Sequence, residues 1–325
     1  MIVLHYHPLD ASLADRLRAA LDPGIDLRVP GPGVNLDALA PLCDGVIAGR
    51  LSFDWLRAAR NLRFQVVPYA GVPAQDRTQV AMLPAVTLYN SHFNADVTAE
   101  HAWALLLAAA KRLLPAHARL ARGDWTPRYD GPLSARLAGA RLLVLGHGAV
   151  GGRVAAIGRA FGMRVDAVTR HGQPAPGLER TGTTAALRAL LAEADAIVCC
   201  LPDTPATAGL LNAAAFAAMK PGAVFVNVGR GACVDEGALH DALTGGRLGA
   251  AGLDTWWRYP TVPEERAACP PGRRDWAGVE NVVLSPHRAS HAEGREEARM
   301  DALAALLNAI ARGAPPRPVD LAEGY

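Results

Sequence analysis

Gly146, Gly148 and Gly151 stand in a GxGxxG spacing, directly after the apolar run Leu142 to Leu145 and directly before the helix-forming stretch VAAIGRAFG. A turn tight enough to admit a pyrophosphate needs the first glycine. Close approach of backbone to phosphate needs the second, and close packing of helix on strand favours the third. Phosphate then sits at a helix N-terminus, where free N–H groups point at it. A second strand-like run, MRVDAVTR, closes a βαβ unit and ends on Thr169 and Arg170, where an acid is expected. The chain has 32 glycines, so it is the flanking strand and helix that give the spacing its meaning. His147, Ala149 and Val150 complete the loop.

Such a loop needs a parallel sheet to project from, and short apolar runs alternating with helical patterns supply two. Ile2 to Tyr6, Ile25 to Val29, Gly45 to Ala48, Phe64 to Val67 and Val86 to Leu88 read as the strands of a first α/β domain. A long helix follows, with Trp103, Leu106, Leu107, Ala110, Leu113 and Leu114 at the spacing of one buried face, placed to connect two domains. Beyond the βαβ unit, Ala196 to Leu201, Ala223 to Val228, Gly249 to Asp254 and Val282 to Ser285 continue a second parallel sheet. A loop rich in Pro and Gly spans 258 to 278. The last helix is expected to begin near His291 and to turn Leu303, Leu306, Leu307 and Ile310 back onto the first domain. The boundaries are therefore 1–92 completed by 291–325, and 93–290.

With 325 residues, half of them hydrophobic, the chain can bury a core in each domain. Thirty-three basic and 31 acidic residues leave a net charge of +2 without a basic block, which argues against nucleic acid or an anionic membrane as partner. The N-terminus enters a strand with no signal-peptide pattern, and the apolar run Ala102 to Ala110 stops at Lys111, too short to span a bilayer. Cys43, Cys199, Cys200, Cys233 and Cys269 form an odd set without metal-type spacing. A reduced, cytoplasmic protein without a metal is expected.

The chain also reads NVGRGACVDEGAL at 227–239, GLDTWWRYP at 252–260 and NVVLSPHRAS at 281–290. Together with NSHFNADVTAEHAWALLLAAAKRL at 90–113 and LPDTPATAGLLN at 201–212, these segments resemble the D-2-hydroxyacid dehydrogenase family, its glyoxylate/hydroxypyruvate reductases included, over nearly the whole chain. The resemblance implies an α/β fold of two Rossmann-like/flavodoxin-like domains with parallel sheets and the cofactor cleft between them. The first is the substrate domain and the second binds the dinucleotide. It implies a homodimer formed through the nucleotide domain and the 101–117 helix, and hydride transfer between NADP(H) and C2 of a small 2-keto/2-hydroxy acid.

Residue by residue, Arg230 matches the family's substrate-binding arginine, whose guanidinium grips a carboxylate through two parallel N–H bonds. His287 stands where the family places its acid/base histidine, which hands a proton to the carbonyl oxygen. Asp254 matches the residue that contacts the nicotinamide carboxamide, with a structural role capping the following turn as the competing account. Ala70, Gly71 and Val72, within VPYAGVP, look like the loop whose backbone amides receive the substrate carboxylate. Thr98, Leu201, Pro202, Val228 and Gly229 complete the cofactor set. NAD-specific members carry an acid where this chain has Thr169 and Arg170. Threonine removes the repulsion of a 2′-phosphate and arginine adds a counter-charge, so NADP is expected, with NAD the weaker alternative.

The chain departs from the family at Tyr259, which replaces the glutamate that holds the histidine charged. A neutral tyrosine cannot raise a histidine pKa as a carboxylate does. Either His287 acts at an ordinary pKa, or another acid such as Glu264 or Glu265 reaches it, or the enzyme is impaired. Tyr259 is a candidate to orient the imidazole through its hydroxyl or simply to pack beside Trp256 and Trp257, two residues that are candidates for lining an apolar substrate side. His291 makes an HxxxH pattern with His287 but lacks a third ligand. Two other readings stay open: a formate- or phosphite-type dehydrogenase, which needs no proton from His287, and a dinucleotide-sensing binding protein akin to the corepressors that resemble this family.

Overall fold

Strands that are apolar on both faces have to be covered on both faces, and here that requirement is met twice. The computed structural model of the chain describes residues 1–322. They divide into two units, Met1–Asn94 with the described residues from Ala292 onward, and Ala95–His291.

In the first unit β1 (Ile2–His5), β2 (Asp26–Arg28), β3 (Gly45–Ile47), β4 (Phe64–Val67) and β5 (Thr87–Asn90) form an all-parallel sheet in the order β2-β1-β3-β4-β5. One face packs Val3, Ile47, Phe64 and Val66 against Leu17, Leu303 and Leu307, and the other packs Leu4 and Val46 against Leu51, Trp55 and Leu56. The last helix, Arg295–Ala311, thus belongs to this unit, with Leu306 in the same core and Ile310 partly buried against it. It begins at Arg295 and not near His291 because Gly294, at φ 71°, takes a left-handed conformation that turns the chain into the helix.

In the second unit β6 (Arg141–Leu145), β7 (Arg164–Val168), β8 (Arg180–Gly182), β9 (Ala196–Cys199), β10 (Ala223–Asn227), β11 (Leu248–Leu253) and β12 (Val282–Leu284) form a seven-stranded parallel sheet in the order β12-β11-β10-β9-β6-β7-β8. The edge strand β8 was not among the sequence expectations, since its three half-buried residues carry no apolar pattern. Leu142, Val144, Val154 and Val165 face the helix Ala95–Ala110 on one side, while Leu143, Leu145, Ile197 and Phe225 fill the other. Leu143→Ala would leave a void in that closed layer, and a loss of about 2–5 kcal/mol is expected in urea unfolding. A loss below about 1 kcal/mol would show that the layer collapses freely.

The helical face expected to run unbroken from Trp103 to Leu114 does not. The helix ends at Ala110, Arg112 turns left-handed at φ 51°, and a separate helix, Leu113–Leu120, starts there. Trp103 is buried and stacks on Phe161 with centroids 4.7 Å apart, whereas Leu113 and Leu114 are 59% and 46% exposed. Spacing records which residues share a face but not a single left-handed residue that redirects the chain.

Candidate functional site

At the carboxyl end of β6 the backbone turns at Gly146, whose φ of 89° disfavours a side chain. A Cβ on Gly151 would sit 1.9 Å from the Gly146 carbonyl oxygen, so helix and strand approach this closely only with glycine there. Gly148 is the N-cap of the helix Ala149–Ala160, no side chain caps it, and nothing lies within 4 Å of where its Cβ would be. The helix start is therefore uncapped by any side chain and open beside Gly148, as an anion-binding N-terminus requires. His147 lies beside this first turn, and burial with the charge of Arg159 holds its pKa below the ordinary histidine value.

Two further loops close around the same strand ends. A Cβ on Gly146 would lie 3.2 Å from both the Cys200 carbonyl and the Leu201 side chain, and one on Gly229 would lie 2.5 Å from the Leu201 carbonyl. Gly146, Leu201, Val228 and Gly229 thus come together, with Pro202 adjoining. Thr98, on the Ala95–Ala110 helix that packs against Ala149–Ala160, is buried, and its hydroxyl has no hydrogen-bond partner among the described residues. At the end of β7, Thr169 accepts a bond from the Gly172 amide at 3.0 Å, which shapes the turn carrying Arg170. An uncapped helix start, a cradle that a Cβ would fill and a buried hydroxyl without a partner fit a dinucleotide.

The groups able to handle a carboxylate and a proton lie at the ends of β10, β11 and β12. Asn227 ends β10 and shapes the next turn: its side chain accepts from the Gly229 amide at 3.0 Å and donates to the Arg230 carbonyl at 3.2 Å. Arg230 is half-buried, and its Nη1 donates to the Gly229 carbonyl at 2.7 Å. Asp254 follows β11 and is 1% exposed. Its Oδ1 accepts from Ser285 Oγ at 2.6 Å and from the Arg288 amide at 2.9 Å, and its Oδ2 accepts from the Ala289 amide at 3.0 Å. One carboxylate therefore pins the turn that carries His287. The indole of Trp256 donates to the Ser285 carbonyl at 2.8 Å and pins it again.

Within that turn His287 is left-handed, at φ 52°, and solvent-exposed on one side only. Its pKa is held below the ordinary histidine value, chiefly because surrounding protein strips hydration from the charged ring. The positive charges of Arg230 and His291 act the same way, and Asp254 opposes them. The Tyr259 ring lies against the imidazole, with centroids 5.4 Å apart and planes at 51°.

Several sequence expectations need correction here. The Tyr259 hydroxyl accepts from the Trp256 amide at 3.0 Å, so the ring touches His287 while its oxygen is bound to backbone. Trp256 and Trp257 do not form an open apolar lining. They pack with Trp276, the latter pair stacked at 5.6 Å, and the Trp257 indole donates to the Val234 carbonyl at 2.7 Å. Neither Glu264 nor Glu265 is bonded to His287 among the described residues, and Glu265 instead accepts from the Thr261 amide at 2.8 Å. Asn227, His101 and Ser285 escaped the sequence reading. His101 Nε2 lies 2.9 Å from Ser285 Oγ across 184 positions, a distance no local pattern spans.

Ala70, Gly71 and Val72 lie in the first unit, just beyond the carboxyl end of β4, where the Asn90 side chain donates to the Ala70 carbonyl at 2.7 Å. Among the described residues no group of three side chains could hold a metal, and no helix is long and apolar enough to cross a membrane.

Residues 103–289 match the model of the D-isomer specific 2-hydroxyacid dehydrogenase, NAD binding domain. A glyoxylate reductase of Aeropyrum pernix is 34% identical over 277 residues, covering 83% of this chain and 80% of the relative. A D-3-phosphoglycerate dehydrogenase of Mycobacterium tuberculosis is 34% identical over 324 residues, 96% of this chain but 59% of that longer protein. Among solved structures, a D-isomer specific 2-hydroxyacid dehydrogenase from Xanthobacter autotrophicus in complex with NADPH and MES is 25% identical, covers 100% of this chain and 99% of that one, and superposes with a TM-score of 0.78. An NADPH-dependent glyoxylate/hydroxypyruvate reductase from Sinorhizobium meliloti in complex with NADP and malonate is 26% identical, with 99% and 98% covered and a TM-score of 0.70. The expected pair of parallel-sheet α/β domains is the architecture found. The motifs, the two sheets and these relatives agree: the chain belongs to the D-isomer specific 2-hydroxyacid dehydrogenase family.

Proposed function

We propose that the protein is a 2-keto acid reductase that prefers NADPH. The observation that carries this reading is His287, held in a left-handed turn by Asp254 and acted on by the charge of Arg230, at the carboxyl edge of a dinucleotide-binding sheet. Ligands bind at such edges. The reduced nicotinamide, when bound, supplies the hydride to C2 of the substrate. Arg230 takes the substrate carboxylate and polarises the adjacent carbonyl, and His287, entering as imidazolium, gives its proton to the carbonyl oxygen. In the first unit, the loop at Ala70, Gly71 and Val72 is the candidate whose backbone amides receive a substrate carboxylate.

Residues Gly146 to Gly151 and Thr98 hold the cofactor, with Leu201, Pro202, Val228 and Gly229 around them and Asp254 on the nicotinamide side. The preference for NADPH rests on Thr169 and Arg170, since β7 ends without the acid that would select a free ribose. The same reading includes a homodimer. Leu113, Leu114, Leu120, Trp125, Tyr129 and Leu133 are exposed apolar side chains of the nucleotide-binding unit that a second copy would cover. It also includes a reducing, cytoplasmic setting, which suits five cysteines that are all free.

Absorbance at the reduced nicotinamide band tests it, with NADPH and NADH in parallel against glyoxylate, hydroxypyruvate, pyruvate and phenylpyruvate. Oxidation of NADPH at about tenfold or more the kcat/KM of NADH is expected, and Arg170→Ala should erase most of that ratio. Dinucleotide binding without oxidation of either cofactor across the panel would refute the reductase reading in favour of a formate- or phosphite-type enzyme or a nucleotide-sensing protein.

A further inference from the structure

We propose that His101 and Ser285 are positioning residues for His287, acting through the Asp254 carboxylate, an inference that rests on the assignment of His287 as proton donor. The three side chains form a compact donor and acceptor set. A serine hydroxyl has a single proton, and the 2.6 Å contact directs it at Asp254 Oδ1, an oxygen that also accepts from the Arg288 amide. With that proton committed, His101 Nε2, 2.9 Å from the hydroxyl oxygen and 3.5 Å from Asp254 Oδ1, is the donor to this pair, which puts a His101 proton on Nε2. The chain of donation therefore runs from His101 to Ser285 to Asp254.

Asp254 passes the constraint on. Its two oxygens hold the amides of Arg288 and Ala289, immediately after His287, and Ser285 lies immediately before the Pro286–His287 step. A residue with a Cβ keeps a φ of 52° only when its surroundings impose it, and this carboxylate with its two supporting side chains is what imposes it. The support matters more in this chain than in one with a glutamate at position 259. Tyr259 supplies no charge, so Asp254 is the carboxylate that acts on the imidazole, against Arg230 and His291. His101 also stands one turn from Thr98 on the Ala95–Ala110 helix, so a single helical face reaches both the unpartnered hydroxyl and the His287 turn.

The test compares Ser285→Ala and His101→Leu, which remove the donor chain, with Ser285→Thr and His101→Gln, which retain a hydroxyl and an N–H donor. Three quantities are read: kcat for 2-keto acid reduction, the dinucleotide Kd from tryptophan fluorescence, and the titration midpoint of the His287 ring by NMR, assigned with His287→Gln. The first two variants should lose about tenfold in kcat with Kd changed less than about twofold. Their His287 midpoint should move up toward the ordinary value, because a loosened turn hydrates the ring. The Thr and Gln variants should keep the wild-type midpoint and kcat.

Unchanged midpoints and kcat in Ser285→Ala and His101→Leu would overturn the inference. So would losses of Tm and cofactor affinity with the midpoint in place, which is the mark of a purely structural role. Shifted midpoints in a protein that reduces no 2-keto acid would support the positioning and reject the proton-donor assignment, so the two failures are told apart.

Discussion

His287→Gln is expected to lower kcat/KM for 2-keto acid reduction by about 10²–10⁴-fold, the usual contribution of a positioned acid, while dinucleotide binding is retained. Wild-type activity should carry a matching pH signature. The proton donor has to be charged, and the pKa of His287 is held below the ordinary value of about 6.5 by lost hydration and by Arg230. Reduction should therefore fall as pH rises through a value below that figure, and the reverse oxidation, which needs neutral imidazole, should rise over the same interval.

Tyr259→Glu should move this limb to higher pH. The tyrosine ring already lies against the imidazole at 5.4 Å, so a carboxylate on that residue would favour the imidazolium. It would also release the Trp256 amide from the tyrosine hydroxyl, a modest cost to the loop. A reduction profile that is flat from acid to alkaline pH, or the same in Tyr259→Glu as in wild type, would remove the proton step from the slow part of the reaction and count against the assignment.

Arg230→Ala is expected to cost about 2–5 kcal/mol of kcat/KM, because a carboxylate brought out of water without its guanidinium partner keeps its desolvation penalty. Arg230→Lys should recover only part, since a point charge cannot make the paired contact. The loss should appear largely in KM for the keto acid where Arg230 only binds, and in kcat as well where it polarises the carbonyl. Removing the guanidinium also removes a charge that disfavours the imidazolium, so the pH limb of Arg230→Ala should lie above that of the wild type. Full activity in Arg230→Ala would show that another group grips the substrate.

Much of this molecule is legible in local sequence. The glycine loop, the alternation of apolar runs with helical patterns and the segments around Arg230 and His287 depend on spacings of a few residues, and backbone sterics and burial enforce those spacings wherever they occur. The sequence by itself therefore determined the two parallel sheets, the dinucleotide loop at Gly146 to Gly151, the candidate acid and the absence of a carboxylate at Tyr259. Only the tertiary structure decided how these groups are held. Asp254 meets Ser285 across 31 positions and His101 meets Ser285 across 184, pairings created by packing strands and helices together and invisible to any periodicity. Packing also settled the tryptophans Trp256 and Trp257, which are apolar enough to suggest a substrate wall but pack against Trp276 and bind their indole N–H groups to backbone. The left-handed turn at His287 has the same origin: its backbone angle is held by Asp254, distant in sequence, and not by its neighbours in the chain.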